Sequence, residues 1–68
     1  MIKNGMRFKV GNKDVYGLVD GFNNIKNVSV VYFDKKGFRR YDVYTSTIIA
    51  NLELGFYKEV DSIPYFDE

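Results

Sequence analysis

The chain has 68 residues, 46% of them hydrophobic, a formal net charge of +1, and neither cysteine nor histidine. This length allows one domain at most, and the lack of cysteine excludes a disulfide framework and a cysteine zinc site. Without histidine, the chain also lacks the commonest metal ligand and the usual proton shuttle. Its stability must therefore come from apolar packing, within one chain or in a dimer.

From the apolar runs of the sequence we expect neither a signal peptide nor a membrane-spanning segment. The first ten residues include no apolar run long enough for a signal peptide, and nowhere do eighteen apolar residues follow one another. Asn, Lys, Ile, Tyr and Phe are abundant, whereas Ala and Pro occur once each, which indicates an AT-rich genome such as that of a low-GC bacterium or its phage. We therefore expect a cytoplasmic protein of a bacterial or infected bacterial cell, without membrane contact.

Alternating apolar and polar residues, separated by Gly and Asn, predict five strands and few helical residues. The expected strands cover residues 6–10, 14–22, 28–33, 38–44 and 55–60. In the first strand the apolar residues share one face, so Arg7 and Lys9 should face water. Gly17, inside the second strand, predicts a bend or a close backbone approach.

The pattern changes after the fourth strand. Residues 45–47, Thr-Ser-Thr, offer an N-cap, and the apolar side chains of residues 48–52 have a spacing that suits one or two helical turns. We expect residues 1–60 to form the domain. The acidic and aromatic segment 61–68 should be a loosely docked or frayed C-terminal tail.

Residues 34–41, DKKGFRRY, place four cations among two aromatic residues and a glycine. Asp34 and Gly37 suit the first and last positions of a type I turn, which makes the two lysines solvated turn residues. Arg39 and Arg40 follow one another on a strand and should point to opposite faces. A turn is therefore the favoured interpretation. The alternative is a nucleic-acid site made of Lys35, Lys36, Arg39 and Arg40, with support from Lys9, Lys13 and Lys26.

The faces of this hairpin follow from its register. If Asp34 pairs with Phe38, one face carries Val31, Phe33, Tyr41 and Val43, and we expect this less charged face to be buried. The other face then exposes Val28 and Val30 together with a cluster that suits a protein interface. The predicted protein-binding residues are Tyr32, Phe38, Arg40 and Tyr44. The alternatives are that the last strand or the C-terminal segment covers this face, or that a slip of one residue exchanges the faces.

The sequence shows no arrangement of residues that is typical of catalysis or of cofactor binding. Ser46 and its neighbours have no histidine or cysteine beside them, and the aspartates are scattered over turns and strands. The glycines match no phosphate-binding loop, and no calcium loop or zinc knuckle is present. We therefore expect a protein that is not an enzyme and that has no cofactor and no metal site.

The order of elements resembles the small β-barrels of the Src-homology and Tudor type. The residues that carry this resemblance are 15–19, 28–32, the turn at 34–37, and segments 45–52 and 55–60. The resemblance implies a module that binds peptides, modified side chains or nucleic acids. The expected fold is all-β: a small five-stranded antiparallel, strongly curved sheet or barrel with one short helical turn before the last strand.

Size and composition favour a small protein-binding module that acts as an adaptor or inhibitor. A phage or mobile-element protein that acts on a host or anti-phage defence protein would have these properties. Two alternatives stay open: a nucleic-acid-binding barrel that uses the basic hairpin 35–40, and a structural subunit of an obligate oligomer. A homodimer is compatible with the protein-binding module and with the structural subunit.

Overall fold

Five antiparallel strands and one helix make up the part of the chain that the computed structural model describes, residues 2–67. The elements are β1 (Arg7–Val10), β2 (Tyr16–Phe22), β3 (Asn27–Asp34), β4 (Gly37–Tyr44), α1 (Thr45–Leu54) and β5 (Tyr57–Val60). Each predicted strand is present. The first residue of the predicted domain and the last residue of the predicted tail lie outside the described residues.

The strands form a single sheet in the order β4-β3-β2-β1-β5, and each neighbouring pair is antiparallel. Within residues 2–67, β4 and β5 are the two edges and do not pair with one another. The expected five-stranded, curved antiparallel sheet is therefore confirmed, in its open form rather than as a closed barrel.

Helix α1 lies on one face of the sheet, the helix face, and the main core is between them. The core residues with no solvent exposure are Phe8, Val19, Val28, Val30 and Ile48. They come from β1, β2, β3 and α1, so four elements share one apolar interior. Burying such side chains stabilises the fold by about 1.5–3 kcal/mol each.

Phe8 explains the glycine in β2. Phe8 is paired with Gly17 across the two strands, and its ring lies over the glycine. A Cβ atom on Gly17 would be 2.7 Å from Cε2 and 2.8 Å from Cε1 of Phe8, closer than real Cβ contacts. The ring also stacks on Tyr57 and meets Tyr32 edge to face. The sequence predicted a bend or a close backbone approach at Gly17, whereas the group that approaches this glycine is the side-chain ring of Phe8.

The opposite face, the tail face, is crossed by residues 61–67. Ile63 is fully buried there and forms a second apolar cluster with Val31 and Phe33. Tyr16 and Leu18 pack against this cluster. The expectation of a loosely docked or frayed tail is therefore wrong for residues 61–67, because an isoleucine anchors the segment to the sheet.

Asp67 attaches the end of the tail to β1. Arg7 donates to its carboxylate from Nε (2.8 Å) and from Nη2 (3.0 Å), and the backbone N–H of Ile63 donates a further bond of 2.6 Å. The Arg7 bond and then the Ile63 N–H hold the pKa of Asp67 below its usual value. The Arg7 guanidinium also lies 5.9 Å from the ring centroid of Phe66. The expectation was that Arg7 would face water, but its side chain binds the tail instead.

Helix α1 is longer than predicted and begins differently. It has 10 residues, and its N-cap is Tyr44, which makes no side-chain capping bond. The predicted cap at 45–47 is therefore wrong: the N–H of Thr45 donates to the Lys26 carbonyl and continues the β3–β4 ladder. At the other end Gly55 adopts a left-handed conformation (φ 84°) and donates to the Leu52 carbonyl, which ends the helix.

Candidate functional site: an aromatic groove beside an edge strand

The turn between β3 and β4 is held by one carboxylate. Asp34 Oδ1 accepts bonds from the N–H of Lys36 (2.8 Å) and of Gly37 (3.1 Å). Gly37 has φ 141°, which favours glycine. The turn roles predicted for Asp34 and Gly37 are confirmed. The partner of Asp34 is nevertheless Gly37, so the predicted pairing with Phe38 is wrong by one residue.

This shift of one residue exchanges the faces of β4 relative to β3. Phe33 pairs with Phe38 and Val31 pairs with Arg40, all on the tail face. The set predicted to be buried is therefore divided: Val31 and Phe33 lie on the tail face, whereas Tyr41 and Val43 lie on the helix face, and Tyr41 is 47% exposed. A slip of one residue moves a whole strand's side chains to the other side of a sheet.

Val28 and Val30, predicted to be exposed, have no solvent exposure at all. The prediction assumed that only one face of the hairpin could be buried. In the structure α1 covers the helix face, and residues 61–67 cover part of the tail face. Strand β3 lies between these two covering segments, so the apolar residues on both of its faces are buried.

The four predicted protein-binding residues do not form one surface. Phe38, Arg40 and Tyr44 lie on the tail face of β4 and are exposed, Phe38 to 71%. Tyr32 lies on the helix face of β3, where burial first, and then a hydrogen bond with Tyr57, raise its pKa. Tyr32 is thus separated from the other three by the thickness of the sheet.

The four cations of the nucleic-acid alternative are also divided. Lys35 and Lys36 occupy the turn, and Arg39 and Arg40 point to opposite faces, as predicted. Arg40 forms an ion pair with Asp20, and Lys35 Nζ lies 4.0 Å from an Asp14 carboxylate oxygen. The supporting lysines are dispersed in the same way: Lys9 is on β1, Lys13 is in the β1–β2 turn, and Lys26 is at the far end of the hairpin.

An open groove, the aromatic groove, runs along the tail face between β4 and the C-terminal tail. It has a volume of about 550 Å³, within the usual range for ligand sites. Its floor and walls include Val31 and Phe33 from β3, Phe38 and Arg40 from β4, and Tyr65 and Phe66 from the tail. Two of the predicted binding residues, Phe38 and Arg40, thus share one concave site.

Phe33 organises the aromatic walls of the groove. Its buried ring lies between two exposed ones, with ring centroids 5.8 Å from Phe38 and 4.9 Å from Phe66. Tyr65 donates a hydrogen bond from its hydroxyl to Asp14 and contacts the Tyr16 ring. Sequence analysis did not place Tyr65 and Phe66 in a site, although two adjacent aromatic residues in an acidic tail were a signal that the tail docks on apolar surface.

Strand β4 is the more exposed of the two strands beside the groove. Seven of its eight residues are exposed, and only Val43 is half-buried. A smaller cavity of about 260 Å³ lies at the turn end of the hairpin and includes Tyr32, Arg39 and Tyr41. Both sides of β4 therefore present aromatic and basic groups to solvent.

Within residues 2–67, no three Cys, His, Asp or Glu side chains come together in a way that could hold a metal ion. No helix in this range is long and apolar enough to cross a membrane. Comparisons with protein-family models, curated proteins and solved structures found no match. The resemblance to Src-homology and Tudor-type barrels therefore stays a prediction.

Proposed function

We propose that this chain is a non-enzymatic binding module that holds an extended segment of a protein partner in the aromatic groove. The observation that carries the proposal is the groove itself, an apolar concavity walled by exposed Phe38 and Phe66. Protein interfaces are enriched in aromatic residues and arginine, and a few such residues supply most of the binding energy.

The groove also indicates the chemistry of the segment. An apolar side chain of the partner would enter between Phe38 and Phe66, above the buried ring of Phe33. Lys36 lies at the rim and has no ion pair within residues 2–67. An acidic group beside the apolar side chain would meet this cation, so we propose a segment that is both apolar and acidic.

The proposal includes a role for the protein in the cell. A small module with one groove would act as an adaptor or inhibitor. The composition-based inference of a phage or mobile-element origin suggests a host or defence protein as its target. Nucleic-acid binding has less support, because the four candidate cations lie on both faces and two of them are near carboxylates.

The test is a selection of short peptides from a displayed library on the immobilised protein, followed by NMR titration of the isotope-labelled chain. We expect selected peptides to be apolar and acidic and to shift the amides of Val31, Phe33 and Phe38. Phe38→Ala and Phe66→Ala should each weaken binding by about tenfold or more, roughly 1.4 kcal/mol. Phe56→Ala is the matched control, since Phe56 is 61% exposed and lies outside the groove.

Three results would contradict the proposal. The first is peptide-induced shifts that map away from the groove, and the second is unchanged affinity in folded Phe38→Ala protein. The third is tight binding of labelled DNA or RNA that weakens steeply between about 50 and 200 mM salt, which would favour the nucleic-acid alternative.

A further inference from the structure

Strand β4 has a free edge that a second strand can extend. One side of β4 pairs with β3 over eight residue pairs, and the other side has no partner strand within residues 2–67. The strand contains no proline and no bulge, and its charged residues, Arg39, Arg40 and Asp42, include both signs. Unpaired edges of this length are templates for pairing with another chain unless charges, prolines or bulges block them.

The hydrogen bond at the end of the hairpin shows which backbone groups of β4 face outward. Thr45 N–H donates to the Lys26 carbonyl, one step beyond the Asn27–Tyr44 pair. Backbone groups alternate in direction along an antiparallel strand. Odd-numbered residues of β4 therefore face β3. The residues whose N–H and C=O face the free edge are Phe38, Arg40, Asp42 and Tyr44.

We propose that a second copy of this chain pairs with that edge in antiparallel orientation, with Tyr41 opposite Tyr41 at a two-fold axis. An axis perpendicular to the sheet keeps the tail faces of both copies on one side. In this register, the residues whose backbone groups face the free edge pair with one another across the two copies. Arg40 of each copy lies opposite Asp42 of the other, and Phe38 of each lies opposite Tyr44 of the other.

Charge complementarity selects this register over its neighbours. A two-residue shift in either direction also preserves the hydrogen bonding, but it places Arg40 opposite Arg40 or Asp42 opposite Asp42. Like charges directly opposite one another destabilise a strand pair, whereas opposite charges and aromatic pairs stabilise it. The Tyr41-centred register forms two ion pairs and two aromatic pairs at once.

Contacts within each chain position these charges. Asp20 forms an ion pair with Arg40 on the tail face. Asp42 accepts bonds from the side-chain amides of Asn23 and Asn27, which orient its carboxylate. In the dimer each Arg40 guanidinium would lie between two carboxylates, one from each copy.

The test uses charge reversal. In Arg40→Asp protein two acids of one copy would meet two acids of the other, and in Asp42→Arg protein two arginines would meet two arginines. Each single variant should therefore weaken self-association by about tenfold or more. A mixture of the two variants restores both opposite-charge pairs, so it should associate where neither variant does.

Analytical ultracentrifugation gives the result, since one chain has a mass of 7.9 kDa. We expect twice this mass for the wild type and for the mixture, and the single mass for each variant alone. Single variants that keep the wild-type dimer, or folded variants whose mixture stays monomeric, would overturn the proposal. So would a wild type that remains monomeric at millimolar concentration.

Amide hydrogen exchange of the wild type gives an answer that does not depend on any variant folding. The outward amides of Phe38, Arg40, Asp42 and Tyr44 should become protected as protein concentration rises, while exposed Ile25 serves as the control. Exchange at these amides that does not change with concentration would overturn the pairing. The proposal does not depend on the groove: mass and exchange report the dimer, whereas peptide-induced shifts report the groove.

Discussion

Strands β3 and β4 are neighbours of eight residues each, joined by a short turn and rich in the same β-branched and aromatic residue types. Four residues of β3 are buried, whereas none of β4 is. Strand β3 lies between two other strands and below two covering layers, while β4 has one neighbouring strand and a partly covered surface. The comparison teaches that position in the sheet, rather than the apolar character of a strand, decides its burial.

The strongest way to break this comparison is to truncate the same residue type in both strands. Phe33 and Phe38 face one another across the hairpin, at 7% and 71% exposure. Phe33→Ala should lower the free energy of unfolding by about 3–5 kcal/mol, because it leaves a cavity below the tail. Phe38→Ala should cost less than about 1 kcal/mol. Urea denaturation measures both, and equal costs would refute the burial assignment.

Gly17→Ala tests the helix face, where Gly17 is paired with Tyr32 of β3. The added methyl would meet the Phe8 ring, so we expect a loss of about 1–3 kcal/mol in unfolding free energy. In a Phe8→Leu background the same substitution should cost clearly less, because the ring is gone. Additive losses in the double-mutant cycle would show that Phe8 is not the obstacle.

Asp67→Asn tests how firmly residues 61–67 are attached to the tail face of the sheet. The amide keeps one acceptor oxygen but loses the charge and one of the two bonds from Arg7. The tail should therefore detach more often, and the amides around Val31 should exchange faster. The loss of stability should be smaller than for Gly17→Ala, because Arg7 and Asp67 are partly exposed. Asp61→Asn is the matched control, since Asp61 has no ion pair within residues 2–67.

The same carboxylate predicts a pH dependence. The pKa of Asp67 is lower in the folded chain than in the unfolded one, where it is about 4. The stabilisation by Asp67 is therefore fully present above pH 4 and is lost as the pH falls through the lower, folded value. Acid titration followed by NMR should show tail release in this range, and this step should be absent from Asp67→Asn protein.

The smallest expected effect concerns the exposed pair of Arg40 and Asp20, with side chains 65% and 42% exposed. Asp20→Asn should lower the unfolding free energy by less than about 1 kcal/mol, and added salt should reduce this difference. Glu59→Gln, which removes an exposed acid without an ion pair in residues 2–67, is the control. A loss of unfolding free energy well above 1 kcal/mol would mean that β4 is less exposed in solution than it is in this structure.

Local chemistry was predictable where the residues act on their own neighbours. The alternation of β1 and the turn from Asp34 to Gly37 follow from side chains and backbone conformation within a few residues. The lack of space at Gly17 does not, because it comes from Phe8 on the neighbouring strand. The register of β3 and β4 was not predictable in this way. A turn that begins at Asp34 can pair this residue with Gly37 or with Phe38. The difference of one residue is enough to move the side chains of β4 to the opposite face of the sheet.

The candidate site depended even more on contacts between distant parts of the chain. Phe38 and Arg40 were predicted as binding residues from their expected exposure and their residue types. The other wall of the groove comes from Phe66, in a tail expected to be loosely docked or frayed. Its docking rests on Ile63 and on the pairing of Asp67 with Arg7, sixty positions apart. Residues 61–67 have no periodicity that indicates such a contact.

The sequence by itself determined the class of fold, the number and approximate limits of the strands, and the turn chemistry, because these depend on periodicity and on local backbone preferences. The tertiary structure alone decided which residues are buried, which aromatic groups share a groove and which strand keeps a free edge. Those properties depend on sheet order and on which segments cover each face, and both are set by the packing of the whole chain.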